Sequence, residues 1–276
     1  MTDTSDASAA GFHLTGNAPE RYERYVAPIM APFVTALVDS ADLGPGATVL
    51  DLACGTGFTA RLAAARVGPT GRVHGADVNP AMLAVALAHR PHLYPDIEFT
   101  EAPAEHLPYD DEMFDAVLCQ QGVQFFPDLA TALTETARVT RRGGRFAATT
   151  WTHPDRSPYF TAQHEAIARY AGQNAAGDFT AAFRCTGDVV AQALHKAGFH
   201  DVTSHVLTLD VILPPLADFA AGHLSALPWG REIAEVHGEQ ALRETGRTLA
   251  ARFADRTSPD GTVTLPFTAT LTTATR

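Results

Sequence analysis

The sequence predicts an α/β fold with a mostly parallel, seven-stranded sheet and helices on both faces. Three observations predict it. Apolar strand-length runs alternate with helical segments from residue 47 to residue 151, as in successive βαβ units. Those runs are near-continuously apolar, as in Ala116-Val117-Leu118, which suits strands covered on both faces. Two further runs, 201–213 and 263–270, alternate like half-exposed strands and bring the count to seven.

Residues 20–42 carry apolar positions at helical spacing, from Tyr22, Tyr25 and Val26 to Leu37 and Val38. Pro28 and Pro32 interrupt them, which predicts two short helices or a kink. Gly44-Pro45-Gly46 stops the pattern. A strand at 47–52, a helix at 58–66, a strand at 72–77 and a helix at 80–89 follow, with Pro80 suited to a first helical turn. Strands are predicted at 97–100, 114–119 and 145–151. A helix at 127–140 precedes the last of them, with Gly143-Gly144 as its stop. After Trp151 the rhythm changes to a helix at 160–170, a helix at 188–197 and a helical stretch from Pro215 to Phe253 broken near Pro228-Trp229-Gly230. The two late strands read as sheet edges, and the helical segments within 152–186 and 215–253 read as a lid over the strand ends.

Composition narrows the partners. The 276 residues are 46% hydrophobic and 18% charged, with a net charge of −11 and Lys196 as the single lysine. So acidic a chain does not suit nucleic acid, whose phosphates need clustered cations. A small-molecule substrate fits better. Cys54, Cys119 and Cys185 are widely spaced, which implies neither a disulfide framework nor a zinc site and suits a reducing, cytoplasmic setting. No membrane span is expected, because no apolar run reaches about 18 residues. The first residues lack a secretory signal's basic start and apolar core, so 1–14 reads as a mobile tail before a single domain at 15–276.

The chemistry-bearing residues gather at predicted carboxyl ends of strands, where open α/β sheets bind ligands. Asp51-Leu-Ala53-Cys-Gly55-Thr-Gly57 joins the first strand to its helix. Its glycines admit a ligand close to the backbone, and the N–H groups at the helix start favour an anionic group. Asp77 ends the second strand, where a carboxylate can accept from both ribose hydroxyls. Val78 and Met82 can flank a purine, Ala104 and Glu105 follow the third strand, and Gln120 follows the fourth.

Together DLACGTG, GADVNPAML, APAEHLPYDDEMFDAVLCQQGVQFFPD and ARVTRRGGRFAATTW resemble class I methyltransferases that use S-adenosylmethionine (SAM). They are closest to the branch with the ubiquinone/menaquinone C-methyltransferases and many natural-product methyltransferases. The likeness covers about residues 21–151, so 15–151 would be the cofactor half and 152–276 the lid and edge strands. It implies a Rossmann-like class I methyltransferase fold. It also implies SAM, with S-adenosylhomocysteine as product, held by Tyr25, Asp51, Ala53, Gly55, Gly57, Asp77, Val78, Met82, Ala104, Glu105 and Gln120. Asp51 would balance the ammonium group of the cofactor. Pro103 stands where the family often has Asp, which is why Glu105 is named for the adenine amino group.

The implied activity is methyl transfer to oxygen, carbon or nitrogen of a small, apolar or aromatic metabolite, by a monomer or homodimer. A phenolic acceptor benefits from a base, because a phenol titrates near ~10. His153 and His223 are the catalytic candidates, with His13 and His164 behind them. Tyr22, Phe125, Phe126, Trp151, Tyr159, Phe160 and Trp229 could line an apolar pocket. Alternatives are a non-methylating SAM protein of the same fold, such as a cyclase, and a nicotinamide oxidoreductase reading Gly55-x-Gly57-x-x-Ala60. Against the latter, Asp51 sits at the strand end and no Tyr-x-x-x-Lys follows.

Overall fold

The computed structural model describes residues 14, 16–91 and 96–276. Residues 1–13 of the predicted tail at 1–14, and with them the candidate His13, lie outside the described residues. Leu14 is described, and it is buried against Ala18 and Met82.

The strands are β1 (Thr48–Leu52), β2 (Arg72–Asp77), β3 (Ile97–Glu101), β4 (Phe114–Gln120), β5 (Thr140–Trp151), β6 (His200–Leu213) and β7 (Val263–Thr275). They form one sheet in the order β3-β2-β1-β4-β5-β7-β6. β1 pairs in parallel with β2 and β4, β2 with β3, and β4 with β5. β7 runs antiparallel to both its neighbours, β5 and β6.

This order corrects the reading of both late strands as edges: β6 is an edge and β7 is interior. The run TLPFTATLTTAT looks half-exposed because of its threonines, yet Thr268 and Thr272 are buried. Their hydroxyls bond across the strand pair, Thr268 with Thr208 at 3.1 Å and Thr272 with Ser204 at 3.0 Å. Buried polar groups are tolerated when they are paired in this way.

The N-terminal segment divides at Val26 into α1 (Ala18–Tyr25) and α2 (Ala27–Ser40). Pro28 falls in the first turn of α2, where no N–H is needed, and Pro32 lies inside the helix without ending it. Then come α3 (Phe58–Val67), α4 (Pro80–His89) and α5 (Leu129–Val139). Asn79 caps α4 through Ala81 N–H, and Asp128 caps α5 through Ala130 and Thr131 N–H. α5 ends four residues before Gly143. The Gly143-Gly144 pair is instead part of β5, with Gly143 at φ +75°.

Side-chain alternation along β1 sends Val49 and Leu50 to opposite faces. On one face Val49, Val73, Leu118 and Ala147 pack on α2 and α3. On the other Leu50, Val117 and Phe146 pack on α5 and on α8 (Gly187–Lys196). The remaining helices are α6 (Pro158–Tyr170), α7 (Gly172–Ala181), α9 (Leu216–Ser225), α10 (Pro228–His237) and α11 (Glu239–Arg252). They close over Val211, Leu213, Leu265 and Phe267 at one end of β6 and β7 to form a third core. The segment carrying α9 to α11 leaves the sheet at Leu213 and rejoins it at Val263, and these two residues are register partners.

α9 and α11 pack closely because Gly246 has no side chain. A Cβ there would fall 2.1 Å from the Ala217 carbonyl oxygen. Gly246→Ala is expected to force these helices apart and cost about 1–3 kcal/mol. The urea midpoint measures it, and an unchanged midpoint would show that the contact carries no weight.

Candidate functional site

Two adjoining cavities open at the carboxyl ends of the parallel strands. The outer one, about 220 Å³, is lined by Ala53 and Gly55 after β1, and by Asp77, Val78 and Met82 after β2. Ala104 and Glu105 after β3 and Gln120 to Gly122 after β4 complete it. The inner one, about 70 Å³, is lined by residues of α1, α2, the turn after β4, the end of β5 and the lid, among them Ile29, Trp151, Phe160, Phe179, His223 and Trp229. Tyr22, Gln121 and Phe125 line both.

The loop after β1 takes its shape from backbone conformation and Asp77. Ala53 (φ +56°) and Gly55 (φ +54°) are left-handed, and Asp77 Oδ2 accepts from Gly55 N–H at 2.8 Å. Its Oδ1 accepts from Asn79 N–H at 2.9 Å. A carboxylate at this place on the cleft is an acceptor of the kind ribose hydroxyls need. Val78 is exposed beside the cleft and Met82 is buried, which gives a purine two apolar surfaces. Gln120 is buried, with Oε1 accepting from the Thr149 hydroxyl at 2.7 Å and Nε2 without a partner among the described residues.

Asp51 lies beneath the loop instead of lining the cleft. It is 1% exposed, and Oδ2 accepts from Ala60 N–H at 2.8 Å. Oδ1 is buried with no partner among the described residues. Burial, followed by the weaker repulsion of Asp77, pushes its pKa up to about 8, although the Ala60 N–H and Arg61 oppose the rise.

Other expected residues fall elsewhere. Gly57 (φ +78°) does not line the cleft; a Cβ there would meet Phe99 at 2.9 Å, so this glycine serves loop-to-strand packing. Tyr25 turns from the cleft to pack edge-on against Phe219 and over Gly222. Tyr22, one turn earlier in α1, takes the place at the cleft. Glu105 lines the cleft while its Oε1 accepts from Asp128 N–H at 3.1 Å. His153 lines neither cavity. Trp151 turns inward against Phe33 and Phe160, and two residues later the chain is at the surface, with His153 Nδ1 3.0 Å from Asp155. His164 lies against Phe179 and also lines neither cavity.

His223 does reach the inner cavity. It is 3% exposed, and burial holds it neutral with a pKa lowered to about 3. Its Nδ1 lies 3.1 Å from both Tyr159 Oη and Gln163 Nε2. Gln163 and Gln121 are site residues that sequence reasoning did not single out. Gln121 is buried at φ +52°, a costly conformation for a residue other than glycine. Its Oε1 accepts from Trp151 N–H at 2.8 Å. No local motif announces such a residue, because β5 and the turn after β4 hold it jointly.

α1 is fastened over this site. Glu23 accepts from the Thr56 hydroxyl and pairs with Arg61, while Arg61 also donates to the Thr56 carbonyl at 2.7 Å. Among the described residues no cluster of His, Cys, Asp and Glu could hold a metal ion, and no helix is long and apolar enough to cross a membrane.

Comparison with known proteins gives the same picture. Residues 50–148 match the family described as a methyltransferase domain. The chain is 41% identical over 120 residues to the 2-phytyl-1,4-naphtoquinone methyltransferase of Thermosynechococcus vestitus, covering 44% of this chain and 53% of that one. It is 40% identical over 119 residues to the ubiquinone/menaquinone biosynthesis C-methyltransferase of Hahella chejuensis, covering 42% and 48%. The chain thus spans about half the length of these curated relatives. The fold is similar to a crystal structure assigned as a methyltransferase from Bacillus halodurans, with TM-score 0.52, 21% identity and coverage of 88% and 97%. The loop after β1 and the Asp77 anchor both fall within residues 50–148, the segment that is similar to the methyltransferase domain family.

Proposed function

We propose that the chain is a SAM-dependent methyltransferase acting on a small, apolar or aromatic metabolite. The observation that carries this reading is the pair of cavities meeting at Tyr22, Gln121 and Phe125. One is polar-edged and placed for a nucleoside; the other is apolar and aromatic.

The residues present suit the cofactor. Asp77 offers acceptors to ribose, Val78 and Met82 flank adenine, and the unpartnered Gln120 Nε2 can donate to a carboxylate. Asp51, beneath the loop with its Oδ1 orphaned, would supply a negative pole for an ammonium group once its raised carboxyl releases its proton. When bound, SAM supplies a methyl group already activated by its sulfonium. The protein's part is then alignment and exclusion of water. Phe160, Phe179, Trp151 and Trp229 give the inner pocket apolar walls, and Gln121, at the junction, would stand between the two ligands.

Isothermal calorimetry with SAM, S-adenosylhomocysteine and NADH, followed by an acceptor screen for S-adenosylhomocysteine release, tests the reading. Micromolar adenosyl binding with turnover is the expected result. Adenosyl binding without turnover on any acceptor would favour a non-methylating role, and NADH binding alone would overturn the reading.

A further inference from the structure

The inner pocket contains a polar set that its aromatic walls do not require. None of its lining residues is Asp, Glu, Lys or Arg; the polar ones are Tyr22, Gln121, Gln124, Gln163 and His223. A charged group entering would lose its hydration with no counter-charge, so the pocket disfavours ions. Three amide atoms there are buried without partners among the described residues: Gln121 Nε2, Gln124 Oε1 and Gln163 Oε1. Unpaired buried amide atoms are costly unless a ligand satisfies them.

The hydrogen bonds at His223 fix its proton. Tyr159 is fully buried and burial raises its pKa, so its hydroxyl stays protonated and has a proton to donate. Its recorded partner is His223 Nδ1 at 3.1 Å, and the Gln163 amide N–H approaches the same nitrogen at 3.1 Å. Nδ1 has a single lone pair, which these two donors can share; with the Tyr159 hydroxyl donating, the ring proton sits on Nε2. The ring also stacks on Phe219, with an interplanar angle of 4°, which limits its rotation. In that tautomer the neutral imidazole offers the pocket a hydrogen-bond donor, where the sequence suggested a base.

We infer that the inner pocket selects an uncharged ring compound bearing a carbonyl and a hydroxyl, with His223 Nε2–H donating to the carbonyl and Gln163 Oε1 accepting from the hydroxyl. Tyr159 is a positioning residue that sets the tautomer of His223. This rests on the inner pocket being the acceptor site of the proposed methyltransferase.

The test uses the full chain and two readouts. Nitrogen-15 NMR of histidine-labelled protein, with the His223 signals assigned by their loss in His223→Gln, is expected to show the Nε2–H tautomer, unprotonated from pH 5 to 8. Tyr159→Phe is expected to shift it toward a mixture of tautomers, a change that loss of packing alone would not produce. In the presence of S-adenosylhomocysteine, 3′-hydroxyacetophenone is expected to bind about tenfold more tightly than 3-ethylphenol, as one added hydrogen bond allows. It is also expected to shift the His223 Nε2 signal. The anion 3-hydroxybenzoate is expected not to bind measurably.

An Nδ1–H tautomer, an imidazolium at pH 7, or a ketone that binds no better than the other two probes would overturn the inference. The tautomer is read without cofactor, so it stands or falls separately from SAM binding. Failure of SAM to bind would sink the methyltransferase reading while leaving the tautomer result intact.

Discussion

Asp77→Ala is expected to lower affinity for SAM and S-adenosylhomocysteine by about 10²–10⁴, because hydrogen bonds to a charged group contribute about 1.5–3 kcal/mol each. Two losses coincide. The proposed ribose acceptors disappear, and Gly55 N–H loses the partner that holds it at 2.8 Å. The second loss lets the left-handed loop relax, so Asp77→Asn should fall between wild type and Ala. Calorimetry measures the affinities, and a thermal melt of each variant separates loss of ligand from loss of fold. Undiminished adenosyl binding in Asp77→Ala would remove the outer cleft as the cofactor site.

The second large effect concerns pH. The pKa of Asp51 is raised from 3.8 to about 8, chiefly by burial. A folded-state pKa above the unfolded value stabilises the fold fully below about 4 and progressively less as pH rises toward 8. The ligand-free protein is therefore expected to lose stability from this group over that window, and Asp51→Asn should flatten the slope. A bound ammonium would favour the ionised carboxylate. SAM affinity is then expected to rise by up to about tenfold per pH unit while Asp51 must release its proton, and to level off above 8. Calorimetry in buffers of different ionisation heat should record proton release on binding at pH 7, and Asp51→Asn should record none. A pH-independent affinity in the wild type would separate Asp51 from the cofactor.

Much of the sheet half was legible because its signals are local. Strands β1 to β5 announce themselves as apolar runs, and Asp77 and the Gly55 turn stand at fixed places on them. Family likeness then named the cleft residues, and Val78, Met82, Ala104 and Gln120 do line it. What depended on distant partners was not legible. Tyr22 and Tyr25 sit on one short helix, and their assignment turns on the packing of Tyr25 against Gly222, nearly 200 residues away. His153 and His223 look equivalent in sequence. Trp151 carries the first to the surface, and Tyr159 and Gln163 hold the second inside. The interior place of β7 was hidden by threonines whose partners lie on another strand.

The direct pairing of Leu213 with Val263 means that the segment bearing α9 to α11 begins and ends on adjacent strands, like an oversized hairpin loop. Closing a loop costs entropy that grows only slowly with its length. Such a segment can be lengthened, shortened or exchanged between relatives while β5, β7 and β6 keep their register. It brings His223, Leu227 and Trp229 to the inner pocket but no residue to the outer cleft. On the proposed function, acceptor choice and cofactor binding can therefore drift apart in evolution, and chimaeras cut at 213 and 263 would transplant a large part of the proposed acceptor side in one cassette.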